Sequence, residues 1–165
     1  MLRFALASAL MAAAAVAAGG QAGSAQAVAP RMSEGQIFYT EACGGCHGLN
    51  GVSAAGYIPV LEGRVGYLLC LREGREYVAR LPNVAFANMS DDRLAQVLNF
   101  VMFGLGGESV PDGPFSGPYT SAEVRELRAR PLKASALLEL RRGILAKASQ
   151  SCPESGRPVP TATSY

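Results

Sequence analysis

Two cysteines and a histidine fall within five consecutive residues, in the order Cys43-Gly44-Gly45-Cys46-His47. The CxxCH spacing places two thiols on one side of a helical turn, with an imidazole directly after them. This arrangement lets both thiols bond to the vinyl groups of a haem while the imidazole binds the iron. Attachment would constrain the fold strongly, because the chain must then surround a large flat group that is held by a single turn. The motif predicts one haem c, bonded through Cys43 and Cys46, with His47 as an iron ligand.

Other interpretations of the motif remain open. A CxxC pair also occurs in thioredoxin-like dithiols and in zinc half-sites, and a pattern this short also arises by chance. A dithiol is expected in a βαβ setting, which the surrounding sequence does not suggest. A tetrahedral zinc site needs more His and Cys ligands than a chain with one His readily supplies. With haem present, His47 would have to be the proximal ligand, and a second His ligand from the same chain is excluded.

The first 27 residues have the pattern of a secretory signal peptide. Arg3 is followed by an apolar, Ala-rich run over residues 4–18, and the small residues after it lead to Ala25-Gln26-Ala27, an A-x-A cleavage pattern. Cleavage near Ala27 predicts a periplasmic protein that has no stable membrane insertion afterwards. An uncleaved membrane anchor is the alternative interpretation.

Size and charge limit the functions that the remaining chain can have. The 138 residues from Val28 onward suit one compact domain with appendages, and they carry 14 Lys and Arg against 13 Asp and Glu. Because basic and acidic residues nearly balance, nucleic acid is not expected as a partner. The charges are unevenly distributed, because residues 28–108 carry 6 basic and 8 acidic side chains and residues 109–165 carry 8 and 5.

The residues around the motif resemble a known family. The stretch GQIFYTEACGGCHGLNGVS resembles the opening of class I cytochromes c, in which a helix leads into the attachment site. Gly35, Tyr39 and Cys43 share one helical stripe, and Ser33 is available as the N-cap. The resemblance implies an all-α cytochrome c fold, in which N- and C-terminal helices pack around a covalently attached haem.

The segment IPVLEG resembles the family's loop over the proximal histidine. The resemblance implies that the carbonyl of Pro59 accepts the Nδ1 proton of His47, a contact that orients the ring and raises its basicity. An ordinary turn proline is the alternative interpretation of Pro59.

The segment MSDDRLAQVLNFVMFGL resembles the family's terminal helix, which crosses the first helix. Ser90 is a suitable N-cap, and Asp91 and Asp92 follow it in the first turn, where the helix dipole favours negative charge. The pattern predicts a helix over residues 91–104, so the resemblance spans residues 33–105. Its apolar stripe consists of Leu94, Val97, Leu98, Val101 and Leu105.

The chain departs from the family at the sixth iron ligand. Class I cytochromes usually supply a Met ahead of the last helix, but Asn83 stands where that Met is expected. Met89 follows His47 by 42 residues and has two interpretations: it is the iron ligand, or it packs on Leu94 as a hydrophobic staple. Other possibilities are an open position, water, a tyrosine such as Tyr77, or a backbone or side-chain group near Asn83. Met102 is expected in the core, and Met32 is not expected to reach the iron.

Four arginines are candidates to pair with the haem propionates, with a solvated surface as the alternative for each. They are Arg64, Arg72, Arg75 and Arg80.

The composition changes after residue 108. A Pro- and Gly-rich stretch leads to Thr120 and Glu123, which form a capping-box pattern that opens a helix ended by Pro131. A further helix is predicted over residues 134–148, with an apolar face of Leu137, Leu138, Leu140, Ile144 and Leu145. The predicted organisation is a signal peptide (1–27), a cytochrome c domain (28–108), a helical extension packed on it (109–151) and a disordered tail (152–165).

Two cysteines lie outside the motif. Cys70 and Cys152 are the only other cysteines, so they are the only possible disulfide pair, and a bridge between them would tie the extension to the core.

These features together predict a periplasmic monohaem electron carrier rather than an enzyme. It would pass single electrons between a partner, such as a dehydrogenase or oxidase, and an acceptor. The missing Met motivates the alternative, a haem protein whose open distal site binds or transforms a small ligand. A third possibility is a relay subunit of a larger assembly.

Overall fold

The computed structural model describes residues 31–53 and 58–152, and within them no β-strand is present. The predicted signal peptide and the tail after Cys152 lie outside the described residues. The α-helices are α1 (Glu34–Ala42), α2 (Gly44–His47), α3 (Arg72–Arg80), α4 (Pro82–Ala85), α5 (Asp91–Asn99), α6 (Ser121–Arg128) and α7 (Leu137–Ser151). Shorter 3₁₀ segments cover Val65–Cys70, Gly107–Ser109 and Ala134–Ala136.

Helices α1 and α5 pack against each other at the centre of the fold. Each has the predicted N-cap, because the Ser33 hydroxyl accepts from the Gln36 N–H and the Ser90 hydroxyl accepts from the Arg93 N–H. Tyr39 of α1 is fully buried. The two predictions for these helix starts are confirmed.

The predicted stripe of α5 forms the main core. Leu94, Val97, Leu98, Val101 and Leu105 are all buried. The helix continues beyond its α-helical part as a π-helical segment over Phe100–Leu105, in which the Gly106 N–H donates to the Val101 carbonyl at 3.0 Å. The predicted end at residue 104 is therefore correct to within one residue, but the wider last turn was not expected.

Helix α6 packs on α5 and α3 and closes one side of the core with Val124 and Leu127. Its start has half of the predicted capping box, since the Thr120 hydroxyl accepts from the Glu123 N–H at 3.2 Å. The prediction for the Glu123 side chain in this capping box is wrong. The Glu123 carboxylate accepts two hydrogen bonds from Arg75, so a buried guanidinium competes successfully for it.

Helix α7 packs on the Val65–Cys70 segment and on α3. Cys70 and Cys152 form a disulfide, with their Cα atoms 6.1 Å apart, as the count of cysteines suggested. The predicted apolar face is partly wrong, because Leu138 and Leu140 are 62% and 39% exposed. The buried residues of α7 are instead Ile144, Leu145 and Ala148, with Leu137 half-buried, whereas Leu138 and Leu140 lie in the first turn of the helix.

The architecture is the all-α cytochrome c fold with a helical C-terminal extension, as the resemblance implied. Residues of α6 and α7 belong to the same main core cluster as those of α1 and α5. No helix in the described part of the chain has both the length and the apolarity needed to span a bilayer.

Candidate haem site

The CxxCH motif forms a tight turn directly after α1. The Cys43 N–H donates to the Tyr39 carbonyl at 2.8 Å, and the His47 N–H donates to the Cys43 carbonyl at 3.0 Å, so α2 is a single turn that starts at Cys43. Gly48 ends it with a φ of 75°, a conformation that favours glycine. Both thiols are free, with Cys43 half-buried and Cys46 exposed.

Space beside this turn is consistent with a large group bonded to it. A Cβ atom built on Gly45 would meet nothing within 4 Å. Leu49 and Val52, which follow the motif, are exposed apolar side chains. Two free thiols, an imidazole and exposed apolar side chains are the set that a covalently bound haem needs, so these residues fit the group.

The imidazole of His47 is oriented by a backbone carbonyl. Its Nδ1 atom lies 3.1 Å from the Pro59 oxygen. Because a carbonyl oxygen can only accept, this contact requires the proton on Nδ1 and leaves the Nε2 lone pair available to a metal. Pro59 therefore lies where the resemblance placed it.

The loop that carries Pro59 is hydrogen-bonded to a residue shortly after the motif and to the π-helical segment that follows α5. The Leu61 N–H donates to the Gly51 carbonyl at 2.8 Å, and the Gly63 N–H donates to the Leu105 carbonyl at 2.8 Å. The Ser53 hydroxyl donates to the Ile58 carbonyl at 2.7 Å. These bonds hold the acceptor for His47 in place from two sides.

Two side chains of the site have raised pKa values. Burial raises the pKa of Tyr39 to about 12, so its hydroxyl stays protonated and donates to the Gly48 carbonyl at 2.7 Å. Burial, and then the neighbouring Cys46, raises the pKa of the Cys43 thiol. Because no β-strand is present in residues 31–53 and 58–152, the motif there lacks the βαβ setting of a thioredoxin-like dithiol.

Zinc is not favoured either. Among residues 31–53 and 58–152, no group of three or more His, Cys, Asp or Glu side chains is arranged to hold a metal ion. Four protein ligands are usual for structural zinc.

The structure gives the positions of the candidates for the sixth ligand. Met89 is half-buried and packs against the main core cluster, as the packing interpretation requires, but Cys43 of the motif packs on the same cluster, so both interpretations of Met89 stay open. Asn83 lies in α4 and is exposed. Met102 is completely buried, as predicted, and Met32 is exposed. Tyr77 is 8% exposed and belongs to the core cluster.

The arginine candidates for the propionates are only partly supported. The prediction for Arg75 is wrong. Its buried guanidinium pairs with the Glu123 carboxylate and donates hydrogen bonds to the carbonyls of Phe115, Gly117 and Pro118. Arg80 donates to the Arg130 carbonyl.

The other two arginine candidates for the propionates are Arg72 and Arg64. The Arg72 guanidinium lies 5.5 Å from the centre of the Phe115 ring. Arg64 is exposed and stays a candidate for the propionates.

Sequence reasoning missed one residue that binds the segment containing Asn83 and Met89. Arg128, at the end of α6, donates hydrogen bonds to the segment between α4 and α5. A basic residue in the last turn of a helix is ordinary, and backbone acceptors leave no pattern in the sequence. No signal in the chain could have identified this contact.

Comparison with known proteins agrees with the geometry. The chain is 29% identical over 129 residues to cytochrome c-552 of Thermus thermophilus, covering 67% of this chain and 96% of that protein. It is also 29% identical over 129 residues to a second cytochrome c-552, from a particular strain of Thermus thermophilus. This match covers 67% of this chain and 85% of that protein. No family model matches the chain, and no solved structure matches it. The similarity supports a c-type cytochrome that binds haem c.

Proposed function

We propose that the protein is an exported, monohaem c-type cytochrome that carries single electrons between a redox partner and an acceptor. The observation that carries this proposal is the 3.1 Å contact between His47 Nδ1 and the Pro59 oxygen, directly after two free thiols. The similarity to proteins named cytochrome c-552 supports the same function. A dehydrogenase or oxidase is the kind of partner proposed, and the periplasm is the proposed location.

Each residue of the site has a defined part in this function. Cys43 and Cys46 would hold the haem through thioether bonds, so that it cannot dissociate. His47 would bind the iron through Nε2, with its ring fixed by the Pro59 carbonyl. The haem supplies a reversible Fe(III)/Fe(II) couple. Electron transfer requires little rearrangement of the ligands, and the bonds around Pro59 restrain the proximal side for this purpose.

A second candidate function rests on the distal side. Met89 packs on the core, and Asn83 is exposed at the position where a Met is expected. Without a Met ligand the sixth position could be open to a small molecule such as nitric oxide, carbon monoxide or peroxide. This candidate concerns the same haem and the same proximal ligand, so the two functions differ only in the occupant of the sixth position.

Spectroscopy of the matured protein separates the two functions. We expect stepwise reduction to give a reversible one-electron titration of the visible spectrum, and carbon monoxide to leave the ferrous Soret band in place. A rapid carbon monoxide shift of that band would favour the ligand-binding function instead. Met89→Leu tests the packing interpretation, because loss of a Met–iron charge-transfer band in this variant would make Met89 the ligand. Met102→Leu, a buried change in the π-helical segment after α5, is the matched control.

A further inference from the structure

The C-terminal extension holds the segment between α3 and α5 from both ends. We propose that Arg128 of this extension is a positioning residue for the distal side of the haem, because it fixes residues 85–91 and thereby limits access to the sixth position of the iron. The inference rests on the proposed function, since it needs a haem bound at His47. The segment concerned, residues 81–90, contains Asn83, Phe86 and Met89, and is called the distal segment below.

Arg128 makes four contacts with one short stretch of chain. Its Nε donates to the Ala85 carbonyl at 2.9 Å, and its Nη2 donates to the Ala87 carbonyl at 2.6 Å. Its Nη1 donates to the Met89 carbonyl at 2.9 Å and to the Asp91 carboxylate at 3.2 Å. Three backbone carbonyls at alternate positions are thus bound by one rigid, planar group. A lysine has one nitrogen and cannot contact all of these acceptors.

The other end of the distal segment is held by residues just after α6. The Leu132 N–H donates to the Arg80 carbonyl at 2.9 Å, and the Arg80 Nε donates to the Arg130 carbonyl at 2.7 Å. Residues 128–132 therefore anchor the chain immediately before and immediately after α4. The extension therefore contacts the distal segment at both of its ends.

The distal segment has little structure of its own to keep it in place. Helix α4 is one turn of four residues, and a helix this short is not stable by itself. The backbone bonds of residues 86–89 are local, from Phe86 N–H to the Pro82 carbonyl, from Ala87 N–H to the Val84 carbonyl and from Met89 N–H to the Ala87 carbonyl. The contacts with Arg128 are consequently the main restraint on residues 86–89 outside the core packing of Met89.

Two observations support the inference that this segment borders the haem. Phe86 is 72% exposed, the highest value among the large apolar side chains that the structure describes, so its ring is available to an apolar partner. Leu81, Val84 and Met89 also border the same core cluster as Cys43 of the motif. A haem bonded at Cys43 and held by His47 would offer an apolar surface to such a ring.

The burial of Arg128 suits a positioning role. Its side chain is 17% exposed, whereas the neighbouring Arg125, which also pairs with Asp91, is 71% exposed. Arg125 contacts no carbonyl of the distal segment in the described structure. Arg125→Ala therefore removes a similar charge from the same helix and the same carboxylate, but leaves the distal segment bound, which makes it the matched control.

The test measures access to the iron in the haem-containing protein. Imidazole is titrated into the ferric wild type, Arg128→Ala, Arg128→Lys and Arg125→Ala, and binding is followed in the Soret region. We expect Arg128→Ala to bind imidazole about tenfold more tightly than the wild type, because the apparent affinity rises with the fraction of molecules in which the segment leaves the sixth position open. Arg128→Lys should lie between the two, and Arg125→Ala should match the wild type. Hydrogen exchange of the amides of residues 86–89 should accelerate in the same order.

The possible results have distinct meanings. Unchanged imidazole affinity in Arg128→Ala, with an intact Soret band, would overturn this inference and leave the proposed function standing. Equal increases in Arg128→Ala and Arg125→Ala would also overturn it, because they would indicate general loosening of α6. A wild type without haem would overturn the proposed function, and this inference with it. If Arg128→Ala fails to fold, the comparison of Arg128→Lys with Arg125→Ala decides in the same way.

Discussion

Gly35 of α1 lies directly against the backbone carbonyl of Gln96 in α5, so closely that a Cβ atom on Gly35 would overlap that oxygen. Phe100 lies next to the same position and also contacts Tyr39, whose ring centre is 5.3 Å from its own. The crossing of the two central helices therefore depends on the absence of a side chain at Gly35. The crossing in turn positions Cys43, which follows at the end of α1.

Gly35→Ala should separate the two helices. We expect a loss of about 1–3 kcal/mol in the free energy of unfolding, because an added methyl group meets backbone and not a flexible side chain. Urea unfolding of the haem-containing protein measures this change. Gly143→Ala in α7 is the control, since a Cβ atom there meets nothing within 4 Å. The control should be neutral or more stable by up to about 1 kcal/mol, and equal losses in both variants would contradict the interpretation.

The Arg75–Glu123 ion pair should be important for the extension. Arg75 also donates to the carbonyls of Phe115, Gly117 and Pro118, and its guanidinium lies 4.0 Å from the centre of the Tyr119 ring. Arg75→Ala would leave a carboxylate and several carbonyls without their donor. We expect a loss of about 3–5 kcal/mol in the free energy of unfolding, as for other broken pairs of low exposure.

The exposed pair Lys147–Glu73 provides the control for this prediction. Both of its side chains are more than half exposed, and Lys147→Ala should cost less than about 1 kcal/mol. Chemical denaturation of both variants under one set of conditions makes the comparison. Similar losses in the two variants would show that Arg75 has no special role.

The disulfide between Cys70 and Cys152 should affect stability but not haem attachment. It joins residues 82 positions apart, and loss of so long a closed loop should lower the free energy of unfolding by about 3–5 kcal/mol in the chain-entropy model. The double variant Cys70→Ala, Cys152→Ala tests this by denaturation, with haem content measured in parallel. Loss of haem from this variant would contradict the separation of the two cysteine pairs.

The Asp91 carboxylate should contribute to stability in a pH-dependent manner. Hydrogen bonds from Arg125, and then from Arg128, lower the pKa of Asp91 below its usual 3.8. A group whose pKa is lower in the folded state stabilises that state above its unfolded pKa and loses the contribution as the pH falls through the folded value. The stability difference between wild type and Asp91→Asn should therefore be constant above about pH 5 and shrink below about pH 4. Urea unfolding across this range measures it, and a difference that grows in acid would contradict the assignment.

The sequence was informative wherever the determinants of structure are local. The Ser33 and Ser90 caps, the α5 stripe and the CxxCH turn each depend on residues within a few positions of one another. The contact from His47 to Pro59 was expected only because the surrounding residues resemble a known family.

The errors come from contacts between distant residues. Glu123 fits a capping box locally, but Arg75, 48 positions away, binds its carboxylate. Leu138 and Leu140 fit the apolar pattern, yet they lie in the first turn of α7, and the residues of this helix that are buried are Ile144, Leu145 and Ala148. Such outcomes depend on tertiary packing, which overrides local pattern.

The most direct test of the account is the intact mass of the protein after maturation in a host that attaches haem to CxxCH motifs. We predict a mass increase of one haem that persists after denaturation, together with a Soret band. Cys43→Ala, Cys46→Ala should lose both, and Cys70→Ala, Cys152→Ala should keep both. A wild-type protein that gains no haem mass and shows no Soret band under these conditions would contradict the central claim.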